Sequence, residues 1–351
     1  MRILTLLIDE LQEGMQVATN IYNDQYVLLI KQGTILNRVM INKLRELNIN
    51  LVKVCDGNNG QLHNVYNNYG YEDKQFIETY EKTLLEIRDI VKRLKFEKTI
   101  DVEKVKIAAT DLLQEVLKNN NIQRKLKVVK GKDEYTYTHS INVAIISSII
   151  GKWLGLDTSD IYNLSCAGLL HDIGKSITDE RILNKPGELT EEEFKIIKNH
   201  TIEGFKLLGE VSDLHGGIIM SAISHHEKCD GSGYPLGLIR NEIHLYARII
   251  AVADIYDAMT SDRIYRKKVS PFKVAEQIAT DQFGCLDPNI TQVFLKNISM
   301  FYIGNKVELS NGMIGEIVYI NPHYPTRPVV AYQNQYINLL NSKLEIIDVL
   351  A

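Results

Sequence analysis

The sequence contains little cysteine and no large excess of charge, and each shortage excludes a class of protein. Its 351 residues include only four cysteines, which are far apart and form no C-x-x-C pair. This argues against a disulfide framework and against a zinc site built from thiolates. The formal net charge of −4 gives no general attraction for nucleic acid or for an anionic membrane. We therefore expect free thiols, and we expect the chain to bind neither nucleic acid nor a membrane.

Long hydrophobic runs are absent as well. The longest apolar stretch, VAIISSIIGKWLGL, is interrupted by Lys152 and is too short to span a bilayer. In the N-terminal MRILTLLIDELQEG, Asp9 and Glu10 interrupt the apolar run and no small-residue cleavage site follows, so a signal peptide is not predicted. The expected location is the cytoplasm.

The length and the composition are those of a globular protein with two or three domains. Residues 1–57 alternate short apolar runs with turn signals around one helical run, which predicts a small β-rich module. Residues 58–71, rich in Asn, Gly and Tyr, predict a linker. Residues 301–351 return to alternating runs with Asn-Gly and Gly turns, which predicts a second small β-rich module.

Between these modules the spacing of apolar residues is helical. Residues 72–124 are predicted to form a helical connector, because ETYEKTLLEIRDIVKRL places apolar side chains three and four apart. Packing on the chain's own domain is the favoured use of this amphipathic face, and a homodimer through the helices of residues 72–120 is the alternative. Residues 125–300 carry a succession of helical patterns, one of them opened by a capping box of Thr190 and Glu193.

Histidines and aspartates are distributed over these helical patterns as in a metal site. Five of the nine histidines, together with two aspartates, make up the set His139, His171, Asp172, His200, His225, His226 and Asp254. Imidazole and carboxylate ligands suit zinc, manganese, iron or nickel. The pattern therefore predicts a buried multi-metal hydrolytic site in a helical domain.

Each of these residues taken alone has a simpler explanation. His139 shares an apolar helix stripe with Val143 and Ile146, where a single histidine is more often a core residue. An unpaired Asp254 inside the apolar ARIIAVADIYDAM would be costly and needs a cation partner. Because seven residues of ligand type fall on the buried faces of successive helices, a joint metal site is the favoured interpretation.

The string LLHDIGK, residues 169–175, is the most specific local feature. Its carboxylate, Asp172, can hold two cations through separate oxygens, which an imidazole cannot do. Asp172 is therefore the predicted bridging ligand. Gly174 is expected to let the backbone turn after the helix.

Three strings, HDIGK, HHEKCDGSGYPLG and RIIAVADIYDAMTSDRIYR, resemble in their order the signature blocks of the HD-GYP domain, a subgroup of the HD phosphohydrolases. The resemblance covers residues 125–300 and includes Gly233, Tyr234 and Pro235. It implies hydrolysis of the bacterial second messenger cyclic di-GMP to linear pGpG, and in some members to GMP, with two or three iron or manganese ions. The predicted fold class is thus mainly α: an all-helical HD-type metal-binding domain flanked by small β-rich N- and C-terminal modules.

The resemblance also implies two sets of ligands. One ion would be held by His139, His171, Asp172 and Asp254, and the other by Asp172, His200, His225 and His226. Members with three ions add a glutamate four residues before the first histidine. That position is Tyr135 here, and the neighbouring Glu134 would face another way on a helix. We therefore expect two divalent ions, iron or manganese.

Substrate contacts are implied in the same way. Lys175 resembles a phosphate-contacting lysine, and Arg263 and Arg266 resemble arginines that hold the phosphates and the guanine of the substrate. These roles suit a mobile point charge and a planar guanidinium. The loop of residues 233–235 is expected beside the site. Asp257 is predicted to support a ligand histidine or to pair with Arg263.

The predicted function is a metal-dependent phosphodiesterase. A hydroxide between two cations would attack the phosphodiester of cyclic di-GMP, while Asp172 holds the cations and Lys175 stabilises charge on the phosphate oxygens. One alternative is the hydrolysis of another cyclic dinucleotide, such as cyclic GMP-AMP. A second is a catalytically weak sensor that binds the dinucleotide and signals through the flanking modules. The full set of predicted ligands disfavours the sensor.

Overall fold

The computed structural model of the protein describes residues 3–8, 11–22, 28–47, 49, 51–55, 71–97, 99–118, 135–183, 185, 187–261, 269–280, 284–300, 302–333 and 335–350. Most of the predicted linker lies outside them. The chain forms two compact units, an N-terminal unit with the described residues up to Gln75 and a C-terminal unit with those from Phe76 onward. The domain boundaries predicted at residues 57, 71, 124 and 300 stay predictions.

The N-terminal unit is built from short strands and one helix. Its strands are β1 (Ile3–Leu7), β2 (Gln16–Val17), β3 (Ile21–Tyr22), β4 (Leu28–Ile30) and β5 (Leu51–Cys55), and its helix is α1 (Arg38–Glu46). Strands β1 and β2 both pair antiparallel with β5, and β3 pairs antiparallel with β4. The helix contributes Ile41 and Leu44 to a buried core that also contains Val17, Val52 and Val54. The predicted β-rich module with one helix is confirmed.

The C-terminal unit is mainly helical. Its helices are α2 (Tyr71–Glu97, which enters this unit at Phe76), α3 (Val102–Lys118), α4 (Tyr135–Trp153), α5 (Thr158–Leu170), α6 (Glu180–Leu183), α7 (Glu191–Lys198), α8 (His200–Gly209), α9 (Gly216–Ser224), α10 (Leu245–Thr260), α11 (Pro271–Thr280) and α12 (Pro288–Met300). A short 3₁₀ helix, Ile173–Ile177, follows α5. Among the helices that the structure describes, none has the length and apolar composition needed to cross a membrane.

Helix α4 lies at the centre of the helical part because it is apolar on nearly all sides. Every residue from Thr138 to Gly151 is buried. The helix packs against α5, α10 and α3. Gly168 on α5 permits a close approach, since a Cβ there would lie 2.4 Å from the Cα of Ala144. Because α3 also packs on α5, part of the predicted connector packs within its own unit, and the homodimer stays a prediction.

The chain ends in a five-stranded antiparallel sheet. Its strands are β6 (Lys306–Leu309), β7 (Ile314–Tyr319), β8 (Val329–Tyr332), β9 (Gln335–Asn338) and β10 (Ile346–Val349), in the order β10-β6-β7-β8-β9. Exposed and buried residues alternate along the first part of β7, as expected for a sheet with one face on a core. Phe272 of α11 joins that core. The predicted fold class, a helical domain flanked by small β-rich modules, is confirmed.

Two of these helices begin with a histidine that accepts a backbone hydrogen bond. Gly217 N donates to His215 Nδ1 at 3.1 Å at the start of α9, and Tyr246 N donates to His244 Nδ1 at 3.2 Å at the start of α10. Only a neutral imidazole can accept in this way, because protonation leaves both ring nitrogens as donors. Burial, together with the electrostatic effect of the nearby His215 and Arg248, lowers the pKa of His244.

We expect the free energy of unfolding to decrease as the pH drops below about 6.5, the ordinary pKa of histidine. Because the pKa of His244 is lowered in the folded state, the unfolded chain binds the proton more tightly. The stabilisation is therefore complete above about pH 6.5 and is lost as the pH falls towards the folded-state pKa. In His244→Asn the side chain caps without titrating, and a lost cap costs about 1 kcal/mol. Urea unfolding on both sides of that pH should show a flatter dependence for His244→Asn, and equal dependences would contradict the role of the cap.

Candidate metal centre

The seven predicted ligand residues come together in the C-terminal unit. They lie in the second turn of α4, at the end of α5, at the start of α8, at the end of α9 and in α10. In each of two groups, the atoms able to bind a metal lie within 4.8 Å of one another. The groups are His139, His171 and Asp254, and Asp172, His200, His225 and His226.

Asp172 faces both groups through different oxygens. Its Oδ2 lies 3.8 Å from His139 Nε2 and 3.4 Å from His171 Nε2. Its Oδ1 lies 3.2 Å from His200 Nε2 and 3.7 Å from His225 Nε2. One carboxylate between two groups of imidazoles is the arrangement in which a single side chain can bind two cations. This geometry suits the bridging role predicted for Asp172.

Asp254 is the second carboxylate of the site. Its Oδ1 lies 3.1 Å from His139 Nε2, and its Oδ2 lies 3.8 Å from His226 Nδ1. In the other group, the Nε2 atoms of His200 and His225 are 3.3 Å apart. The nitrogens and oxygens therefore face one another across a small polar interior.

Three histidines are anchored through their other ring nitrogen to the backbone. The hydrogen bonds are His171 Nδ1 to Gly168 O at 2.8 Å, His200 Nδ1 to Ile197 O at 2.6 Å and His225 Nδ1 to Ser221 O at 3.0 Å. The accepting carbonyls belong to the last turns of helices, where backbone oxygens are free to accept from side chains. A proton on Nδ1 leaves the lone pair on Nε2, which is the form of imidazole that binds a metal.

His139 is anchored by a carboxylate instead. Its Nδ1 lies 2.8 Å from Asp257 Oδ2. Asp257 Oδ1 accepts from Asn142 at 2.8 Å and from Ser261 Oγ at 3.0 Å, and Tyr80 of α2 donates to Asn142 Oδ1 at 3.2 Å. The structure thus places Asp257 against a histidine of the site, the first of its two predicted roles. The sequence analysis missed Asn142 and Tyr80.

Two buried atoms of the site have no hydrogen-bond partner among the residues that the structure describes. They are His171 Nε2 and Asp172 Oδ1. His200 Nε2 lies 3.2 Å from that oxygen but cannot donate to it while its proton is on Nδ1. Unpaired buried polar atoms are costly, and cations would satisfy both. Imidazoles with carboxylates form a donor set for divalent transition metals, so the residues present fit such ions.

Charges inside the site shift the pKa values of its members in opposite directions. Burial alone would lower the pKa of His139, but hydrogen bonds to two aspartates raise it to about 9. Burial alone would raise the pKa of Asp172, yet Lys175 and neighbouring imidazoles hold it well below its ordinary value. Burial lowers the pKa of His225 to about 4. Near pH 7 the site therefore offers an ionised Asp172 and a neutral His225.

The open side of the site is formed by His226, Lys175 and Tyr234. The side chains of His226 and Lys175 are 25% and 22% exposed, whereas that of Asp172 is 4% exposed. The ammonium of Lys175 contacts Asp172 Oδ2, and the ring of Tyr234 stacks on that of His226 with 4.8 Å between centroids. A ligand would approach the carboxylates from this side.

A buried carboxylate shapes the loop that carries Tyr234. Glu227 accepts hydrogen bonds from the backbone N–H groups of residues 236–238 at 2.6, 3.1 and 3.0 Å. The loop also runs so close to itself that a Cβ on Gly233 would lie 2.3 Å from Lys228 N. Glu227 therefore acts as a loop cap and fixes the wall of the site.

Some predicted residues are not placed by the structure. Arg263, Arg266 and Glu134 lie outside the described residues, and the side chain of Tyr135 is not described. Pro235 follows Tyr234 through a cis peptide bond. The substrate-binding roles of Arg263, Arg266 and Pro235 stay predictions. The same holds for the expectation of two ions rather than three, which depends on Tyr135 and Glu134.

Asp257→Asn should weaken metal binding by roughly 10–100-fold, the usual effect of removing a carboxylate that orients a ligand histidine. Asparagine can no longer accept from both His139 and Asn142, so the ring of His139 loses its anchor. Titration of the metal-free protein with Mn²⁺ measures the affinity. Ser261→Ala is the matched control, because it removes a partner of Asp257 Oδ1 and leaves the contact with His139. Equal affinities for the wild type and Asp257→Asn would exclude this role.

A family model described as "HD domain" matches residues 115–290. A cyclic di-GMP phosphodiesterase of Pseudomonas aeruginosa is 36% identical over 214 residues, which cover 60% of this chain and 51% of that protein. A 3′3′-cGAMP-specific phosphodiesterase of Vibrio cholerae is 38% identical over 177 residues, which cover 50% of this chain and 41% of that protein. The chain thus spans about half the length of the curated relatives it matches.

The fold of this chain is similar to that of a solved structure over most of its length. That structure belongs to a protein of Bdellovibrio bacteriovorus described as an HDG"Y"P protein. The TM-score is 0.58, with 17% sequence identity, and the match covers 84% of this chain and 98% of that one. At this identity the similarity concerns the fold alone.

Proposed function

Because the chain belongs to the HD domain family, whose model matches half of it, we propose that it is a metal-dependent phosphodiesterase that hydrolyses cyclic di-GMP to linear pGpG. Its membership confirms the family predicted from the signature strings. The observation that carries the proposal is the position of Asp172, whose two oxygens face two separate groups of metal-binding side chains. Relatives named for the hydrolysis of cyclic dinucleotides supply the substrate class.

Two divalent ions, iron or manganese, are the proposed cofactors. One would be held by His139, His171, Asp172 and Asp254, and the other by Asp172, His200, His225 and His226. When bound, the ions supply Lewis-acid polarisation of a phosphate oxygen and a nucleophile from water at neutral pH. The ionised state of Asp172, which its lowered pKa ensures, provides the negative charge that holds them.

The remaining work falls to side chains of the chain itself. Lys175 lies on the open side, against Asp172, where its ammonium can donate to a phosphate oxygen and stabilise the charge that builds up there. Arg263 and Arg266 bind the phosphates and the guanine of the substrate through their planar guanidinium groups. Tyr234, between Gly233 and Pro235, stacks on His226 and lines the open side through which the substrate enters.

A second candidate substrate is cyclic GMP-AMP, because a relative that is 38% identical is named for it. The same metal groups would serve, since both substrates contain the same kind of phosphodiester. The difference would lie in the side chains that contact the base.

One experiment tests the proposed function. The protein is purified without oxygen, its metals are measured by elemental analysis, and the products from cyclic di-GMP, cyclic GMP-AMP and cyclic di-AMP are separated by chromatography. We expect two metal ions per chain and pGpG as the first product. A protein that binds the dinucleotides but releases no linear product would instead be a sensor.

The helices of residues 72–120 are the proposed homodimer interface. On α2, the residues Leu85 and Phe96 are 62% and 74% exposed. Exposed apolar side chains on one helix favour burial against a partner. A partner copy would bury them.

A further inference from the structure

We infer that Lys198 binds the second phosphate of a cyclic dinucleotide, the one that is not being hydrolysed. The rings of Phe194 and Tyr234 hold the ammonium of Lys198 in position for this contact. The inference rests on the proposed function and names a residue that decides which phosphodiesters bind well. Lys198 belongs to the last turn of α7, two residues before His200.

The ammonium of Lys198 lies next to two aromatic rings. Its Nζ is 4.6 Å from the centre of the Phe194 ring and 4.8 Å from the centre of the Tyr234 ring. The same Tyr234 ring stacks on His226. Lys198 and His226, a predicted metal ligand, therefore both contact the ring of Tyr234, on the open side of the site.

Unlike Lys185 and Lys206, Lys198 has no counter-ion among the residues that the structure describes. Lys185 pairs with Glu193 at 2.6 Å and Lys206 pairs with Glu203 at 2.9 Å. For Lys198, no carboxylate lies within 4.0 Å in the described part of the chain, and its partners there are the faces of two rings. Such cation–π contacts are weak at partly exposed positions. They orient the ammonium without neutralising it.

The chemistry of the substrate suits a cation in such a place. A cyclic dinucleotide contains two phosphodiesters on opposite sides of one ring. When one of them occupies the metal groups around Asp172, the other lies away from these ions and can accept from a cation on the rim, in addition to Arg263 and Arg266. An ammonium on the rim can donate a charge-assisted hydrogen bond to it. Phe194, whose surface is 46% exposed, also offers a ring face to a base.

The test compares two substrates with the manganese-loaded protein. Cyclic di-GMP has two phosphodiesters, whereas bis(p-nitrophenyl) phosphate has one and needs no second cation. The variant is Lys198→Met, which keeps an apolar stem over the two rings and removes the charge. We expect the KM for cyclic di-GMP to rise at least about tenfold, as for the loss of a hydrogen bond to a charged group, with kcat within about twofold. Turnover of bis(p-nitrophenyl) phosphate should be unchanged.

Two further variants separate binding from structure. Lys198→Arg keeps the charge and should retain a KM near that of the wild type. Lys195→Met removes an exposed lysine from the same helix and should behave as the wild type on both substrates. An unchanged KM in Lys198→Met would overturn the inference, and so would an equal loss on both substrates, since that result would indicate a structural role.

Failure of the proposed function gives a different result. A wild-type protein that hydrolyses bis(p-nitrophenyl) phosphate but no cyclic dinucleotide would overturn the proposed substrate and the role of Lys198 together. Normal turnover of cyclic di-GMP by the wild type, with no effect of Lys198→Met, would overturn the role of Lys198 alone.

Discussion

Asp172→Asn should lose both metal ions and nearly all phosphodiesterase activity. An amide carries no charge and cannot offer an anionic oxygen to each of the two ligand groups, which lie 3.2 Å from Oδ1 and 3.4 Å from Oδ2 at their nearest nitrogens. Metal ions contribute several kcal/mol to catalysis of this kind. A loss of about 4 kcal/mol corresponds to a rate lower by roughly a thousandfold. Elemental analysis and turnover of cyclic di-GMP measure the two effects on the same sample.

The control for this variant is Asp179→Asn, seven residues along the chain. Asp179 pairs with Arg181 on the surface, and its replacement should leave metal content and turnover unchanged. If Asp172→Asn kept one ion while losing the other, the carboxylate would belong to a single group. Full activity without bound metal would contradict the proposed function altogether.

Gly174→Ala should destabilise the protein by about 3 kcal/mol, at the upper end of what overpacking usually costs. A Cβ on Gly174 would lie 2.0 Å from the carbonyl oxygen of His200 and 2.6 Å from the backbone nitrogen of Gly204. Backbone atoms cannot rotate away as a side chain can, so α8 must shift as a unit. That shift moves the imidazole of His200, so we also expect weaker metal binding.

Gly204→Ala provides a matched control in the same contact. Its Cβ would meet Ala222 at an ordinary distance of 3.5 Å. Because alanine favours the helix by roughly 0.5–1 kcal/mol over glycine, this variant should be as stable as the wild type or more so. Urea unfolding of the metal-free proteins compares the two variants directly. A stable Gly174→Ala with normal metal affinity would show that α8 can move without cost.

The reason for Gly174 illustrates a limit of sequence analysis. The string LLHDIGK predicted that the glycine lets the backbone turn, but Gly174 is not among the glycines with positive φ. It is required by the approach of α8, a contact with a helix that begins 26 residues later, at His200. Spacing along the chain cannot reveal such a contact.

Local features were easier to predict. The capping box of Thr190 and Glu193 depends on residues three apart, and the structure contains both of its hydrogen bonds. The candidate ligands could be found because burying imidazoles and carboxylates on apolar helices costs free energy unless a partner such as a metal ion compensates for it. Tyr80 could not be found, because it reaches Asn142 across 62 residues and looks like an ordinary core tyrosine.

The backbone anchoring of His171, His200 and His225 has a consequence for how new selectivity can arise. Since main-chain carbonyls aim these rings, substitutions that leave the helices in place also leave the direction of the rings unchanged. The side chains on the rim of the site can therefore change while the arrangement of these histidines is kept. A change of specificity in the proposed phosphodiesterase is therefore best sought on the rim, with the lengths of the helix ends kept.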